Sequence, residues 1–148
     1  MKRPAPRLRA ASLDDLGFAG HVYLETMRYI TDQLPDFDEE QHMARFAERF
    51  VPDEVSMVVA DSKDIGWLQV AETDDEIFLK QMFLQPASQG QGTGSSLLVD
   101  LIARARQANK PLRLGVVKIN PAVHLYQRFG FIITSEDDFK YYMEKRPE

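Results

Sequence analysis

The chain has no cysteine, and that single absence removes disulfides, thiolate metal sites and a cysteine nucleophile together. No stretch approaches the ~18 consecutive apolar residues of a membrane span, and the basic first nine residues lack the apolar core of a secretory signal. A soluble, unexported, cytoplasmic protein is expected, and a reducing compartment is compatible with the missing thiols. Positive charge is also in deficit. Eighteen Lys and Arg stand against 23 Asp and Glu, a formal net charge of −5, which argues against general nucleic-acid binding, because that needs a basic face. The three histidines, His21, His42 and His124, have no metal-ligand spacing. They read as surface or packing residues, and no metal is expected. What remains is ordinary for a globular protein: 44% hydrophobic and 28% charged residues, in a length of 148 that fits one domain over residues 1–148.

Periodicity organises that domain. Residues 7–11 read as a first strand. Ser12 and Asp15 then form a capping-box pattern, followed by Leu16, Tyr23, Met27 and Ile30 at helical spacing. A second helix is predicted to open at Asp38, with Met43, Phe46, Ala47 and Phe50 on one face, and to close before Pro52. Short apolar runs at residues 55–60, 65–71 and 76–84, separated by turns at 61–64 and 73–75, predict a three-strand meander. A glycine-rich loop follows, then a helix with Leu97, Leu98, Leu101, Ile102, Ala105 and Ala108 on one stripe. A strand at 111–119, a short helix opened by Asn120-Pro121 and ended by Gly130, and strands at 131–134 and 139–143 complete the order β-α-α-β-β-β-α-β-α-β-β. The expected fold class is α/β: a mixed, mostly antiparallel sheet with helices on both faces, and one parallel crossover around the glycine loop.

Glycine lets backbone approach an anion at positive φ, and a helix N-terminus offers unpaired N–H groups and the positive end of the dipole. Gly90, Gly92 and Gly94 stand between a strand and a long helix, where both effects apply. The dinucleotide fingerprint fails, because Ser95 stands three residues after Gly92; a Walker A loop fails for want of lysine. The hydrolase elbow is also missing. An ordinary flexible loop and a nucleotide site unrelated to those motifs stay open at this point.

The segment Gln89-Gly-Gln-Gly-Thr-Gly94 resembles the Q/R-x-x-G-x-G/A signature of the GNAT (GCN5-related) N-acetyltransferases. A second family signature resembles Asn120-Pro-Ala122, Leu125-Tyr126 and Phe129-Gly-Phe131, one helix and one strand downstream. The resemblance covers residues 76–131. It implies acetyl-coenzyme A as cosubstrate, with the pyrophosphate cradled by the backbone of Gln89, Gly90, Gln91, Gly92, Thr93, Gly94 and Ser95. It also implies a pantetheine arm along Met82, Phe83 and Leu84 and in contact with Asn120. Family loops often carry a basic residue where this one has Gln89 and Gln91. Binding would therefore lean on backbone N–H groups and the helix dipole, with Arg128 a candidate external cation.

Amine attack on a thioester expels a thiolate, and a positioned phenol of pKa ~10 can protonate a sulfur whose acid has pKa ~8.5. The resemblance assigns that role to Tyr126, which equally fits the apolar stripe Ala122, Leu125 and Phe129 as a core residue. Asn120 equally reads as a helix cap. Glu72 and Glu76, flanking a meander turn, are the candidate general bases, alongside the readings that they are solvated charges or that bulk solvent suffices. The implied activity is transfer of an acetyl group to a primary amine by direct attack in a ternary complex. The alternative is a non-catalytic acyl-CoA sensor on the same fold. Expected partners are a small-molecule or peptide amine, with no nucleic acid or membrane. A homodimer through the closing strand edge is also expected.

Overall fold

The structure is a computed structural model that describes residues 6–33 and 35–148. Seven strands form one mixed sheet in the order β1-β2-β3-β4-β5-β7-β6. The chain contacts divide into two compact units, one of Met1–Gln69 with Gln81–Thr93, the other of Val70–Lys80 with Gly94–Glu148.

In the first unit, β1 (Arg7–Ala10) and β2 (Val55–Ala60) pair antiparallel, with Arg7 opposite Val59. β2 turns into β3 (Lys63–Glu72). The turn is tighter than expected. Asp61 and Ser62 adopt φ of 53° and 64°, a two-residue loop whose twist suits a hairpin, so β3 begins at Lys63. Ser12 and Asp15 form the expected capping box, with each side chain bonded to the backbone of the other's turn. Arg9 then ties Asp15 and Asp64 together at 2.7 and 2.9 Å.

The helical stretch that follows is α1 (Leu16–Thr26), then a break at Met27 and a single turn, α2 (Arg28–Thr31). α3 (Glu39–Arg49) begins under Asp38, whose carboxylate accepts from the N–H of Gln41. Phe46 and Phe50 are buried as expected, whereas Ala47 is exposed. The core of this unit gathers Ala19, Val22, Phe46, Phe50, Val55, Met57 and Trp67. Trp67 is fully enclosed, and its indole N–H donates to the Ala19 carbonyl at 3.0 Å, so its one polar group is satisfied. Gly66 lets the end of β4 come close: a Cβ there would stand 2.2 Å from the Phe83 carbonyl.

In the second unit, β4 (Ile77–Leu84) and β5 (Leu112–Val117) pair in parallel, Ile77 opposite Leu112, and α4 (Thr93–Ala108) is the connection. β5 pairs antiparallel with β7 (Lys140–Lys145), and β7 with β6 (Ile132–Glu136). β6 is a sheet edge, exposed along its length. α4 buries Leu97, Leu98, Leu101 and Ala105 and ends at Asn109, which takes the left-handed conformation. α5 (Ala122–Arg128) ends at Gly130 with φ 94°, the expected glycine cap.

Candidate functional site

The glycine loop follows directly from β4. Gly90 and Gly92 both take left-handed φ, 74° and 84°. Nothing lies within 4 Å of where a Cβ would project from either one. These glycines are therefore required by backbone conformation, and the space beside them is open. The loop enters α4 at Thr93, where the leading N–H groups have no intrahelical partner. The two glutamines are exposed, and each bonds back to the main chain. Gln89 donates to the Leu84 carbonyl at 2.9 Å and Gln91 to the Ala87 carbonyl at 3.2 Å. An anion here would meet main-chain donors and a helix dipole, the chemistry that suits a pyrophosphate.

Asn120 stands just before α5, and its side-chain oxygen accepts from the N–H of Ala122 at 2.9 Å. Tyr126 is 7% exposed, and its ring meets that of Phe131 edge-on at 5.8 Å. Burial pushes its phenol up to about 12, so it is a neutral group carrying a proton throughout the physiological range. Arg128, the last residue of α5, is exposed.

The two carboxylates singled out in the sequence are engaged elsewhere. Glu72 is clamped by Arg104 at 2.6 Å and Lys110 at 2.8 Å. Its hydrogen bond to Lys110, then that to Arg104, hold its pKa below the usual carboxylate range. Both effects make it a poorer proton acceptor. Glu76 pairs with Arg113 at 2.6 Å, and Arg113 also reaches Glu144 at 3.1 Å. These are ion-pair partners at a sheet end, and that geometry weighs against either as the base.

Another pair of titratable side chains meets in the first unit. Tyr23 on α1 and His42 on α3 meet with the hydroxyl 2.7 Å from Nε2 and their rings stacked at 5.3 Å. Burial, then the charges of Arg45 and Arg49, hold the imidazole below its ordinary value; burial raises the phenol of Tyr23. At neutral pH the pair is uncharged. Both residues line a cavity of about 80 Å³, together with Arg45 and Arg49. Its apolar wall is Phe46 and Phe50, and strand residues Gln69 and Gln81 complete it. Gln81 directly precedes Met82, Phe83 and Leu84 on β4, and Phe83 packs against Tyr23 at 5.4 Å. His42 is thus no mere surface residue. Its pairing with Tyr23 joins positions 19 apart in sequence on two helices, and no local spacing announces it.

Residues 52–133, just over half of the 148, match the acetyltransferase (GNAT) domain family. The chain belongs to that family of acetyltransferases. Solved structures agree on the fold. The PaiA N-acetyltransferase from Thermoplasma acidophilum, in complex with coenzyme A, superposes with a TM-score of 0.77 at 19% identity, covering 97% of this chain and 99% of that one. An acetyltransferase from Thermus thermophilus gives 0.75 at 16% identity over 99% of both chains. YncA of Salmonella typhimurium, a putative acetyltransferase with its cofactor acetyl-CoA, gives 0.62 at 20% identity, covering 98% and 95%. No curated protein matches the chain significantly in sequence.

Proposed function

We propose that this chain is an acetyl-CoA-dependent N-acetyltransferase that transfers the acetyl group to a primary amine by direct attack in a ternary complex. The observation that carries the reading is the glycine loop. Left-handed Gly90 and Gly92, with open space where side chains would stand, lead into the N-terminus of α4. That is a main-chain cradle for a pyrophosphate.

Bound acetyl-CoA supplies an acyl group activated as a thioester. The loop from Gln89 to Ser95 would bind the diphosphate, with Arg128 an outer cation. The β4 backbone at Met82, Phe83 and Leu84, and the side-chain amide of Asn120, would hold the pantetheine arm. Tyr23 and His42 would receive the acceptor's proton: Tyr23 takes it at its hydroxyl oxygen while giving its own to Nε2 of His42. Attack of the amine would form the N–C bond and break the C–S bond, and Tyr126 would give its phenolic proton to the departing sulfur. A neutral phenol and a neutral imidazole are the protonation states these roles need, and the burial of both residues favours them.

The test is calorimetric titration of the protein with coenzyme A, then with acetyl-CoA. Binding of both with one site per chain is expected. No heat at millimolar ligand would remove the cofactor assignment and the mechanism with it.

A further inference from the structure

We propose that the cavity lined by Tyr23 and His42 selects an acceptor amine that also bears a carboxylate, and that Arg45 and Arg49 bind that carboxylate. The inference rests on the acetyltransferase reading above and names the class of its acceptor.

Arg45 and Arg49 stand four apart on α3, which places them on one face of the helix. Both line the cavity. Arg9, Arg104 and Arg113 each meet a carboxylate within 3 Å, but Arg45 and Arg49 have no ion-pair partner among the described residues. Two guanidinium groups thus face one small space without a counter-charge. Their field reaches the cavity: both act against protonation of His42, and Arg49 acts on the phenol of Tyr23.

Among the described residues no carboxylate lines this cavity. Gln69, which does line it, donates its amide to Glu54 at 2.9 Å. An adjoining space of about 380 Å³ shares His42 and Arg45, and there Asp36 and Asp38 contribute. Asp38 is already the cap of α3. A polyamine seated in the inner cavity would set its second cation beside two unneutralised arginines. A carboxylate there would instead meet planar donors whose fork geometry matches it. Phe46 and Phe50 supply an apolar wall for the carbon skeleton between the amine and the carboxylate.

The experiment compares matched acceptors with the full chain and acetyl-CoA: phenylalanine against phenylalaninamide, β-alanine against β-alaninamide, and spermidine. For wild type, kcat/KM for the carboxylate member is expected to exceed that of its amide by about tenfold or more, the size of a charge-assisted contact. Spermidine is expected to be the poorest acceptor. Arg45→Gln and Arg49→Gln should each raise KM for the carboxylate acceptors and bring the ratio towards one, with acetyl-CoA affinity unchanged. Arg45→Lys should retain part of the preference, and circular dichroism checks that each variant is folded. Equal or better use of amides or spermidine by wild type would overturn the proposal, as would a preference that survives both glutamine variants. If acetyl-CoA binds but no amine turns over, calorimetry with N-acetylphenylalanine and its amide decides. Carboxylate-selective binding lost in the glutamine variants sustains the anion site, and no selective binding overturns it. Failure of acetyl-CoA to bind defeats the acetyltransferase reading instead, and the same titration still decides the anion site.

Discussion

The hydroxyl of Tyr23 lies 2.7 Å from Nε2 of His42, and the two rings stack with planes 8° apart. α1 supplies the phenol and α3 the imidazole; the Ser12–Asp15 box caps the short turn Leu13–Asp15 that leads into α1, and Asp38 caps α3. The pair is held by core packing as well, since Tyr23 stacks on Phe46 at 5.0 Å and meets Phe83 edge-on.

His42→Gln should lower kcat by roughly 10²-fold, the usual cost of removing a general base. Because the His42 imidazole is held below its ordinary value, its neutral form persists below the usual midpoint of ~6.5. The acid limb of kcat at saturating acceptor should therefore fall below that pH, and it should disappear in His42→Gln. The groups facing His42 are Tyr23, Arg45, Arg49 and Phe37, with Asp38 in the adjoining space. An unchanged pH profile in the variant would return His42 to packing.

Glu72→Gln should leave turnover near wild type, since the carboxylate is occupied by Arg104 and Lys110. Its acidity is increased in the folded state, so whatever stability the pair contributes is present above the unfolded pKa and is lost as pH falls through the folded one. A large fall in kcat on this substitution would restore Glu72 as the base.

Tyr126→Phe should reduce kcat by ~10²-fold, as loss of a positioned acid does, with little change in stability or cofactor affinity. The hydroxyl makes no hydrogen bond among the described residues, and the ring contact with Phe131 is retained. With its phenol pushed up to about 12, Tyr126 stays protonated across the working range, so the loss should be uniform with pH. Wild-type turnover in the variant would confine Tyr126 to the core.

Coenzyme A at 100 times its Kd should add about 2.7 kcal/mol to stability if it binds only the native state. Gly92→Val should abolish that increment. The residue sits at φ 84° in open space, so valine's cost comes from backbone conformation and not from a clash. Thermal melts of both proteins with and without ligand check this, and an undiminished shift in the variant would place the cradle elsewhere.

The fold was largely legible because its signals are local. Val55–Ala60 is a mostly apolar run, Ser12 and Asp15 form a box three residues apart, and Gly130 punctuates α5. The break at Met27 was hidden, since Tyr23, Met27 and Ile30 keep helical spacing through it. The glycine loop was legible for the same reason as the caps: its residues are adjacent, and Gly90 and Gly92 do take positive φ. The cavity beside Tyr23 and His42 was not legible, because it assembles Tyr23, His42, Gln69 and Gln81 from two helices and two strands. The ion pairs of Glu72 and Glu76 were hidden for the same reason. They are close in sequence to a turn, but their partners Arg104, Lys110 and Arg113 come from distant positions.

The most direct measurement of the central claim is release of free thiol from acetyl-CoA on addition of a primary amine, followed by mass spectrometry of the acceptor. The expected result is amine-dependent thiol release matched mole for mole by acetylated amine, with no acetyl group left on the protein. Coenzyme A binding without amine-dependent release, across carboxylate-bearing, neutral and polycationic amines, would contradict it and leave a binding module on an acetyltransferase fold.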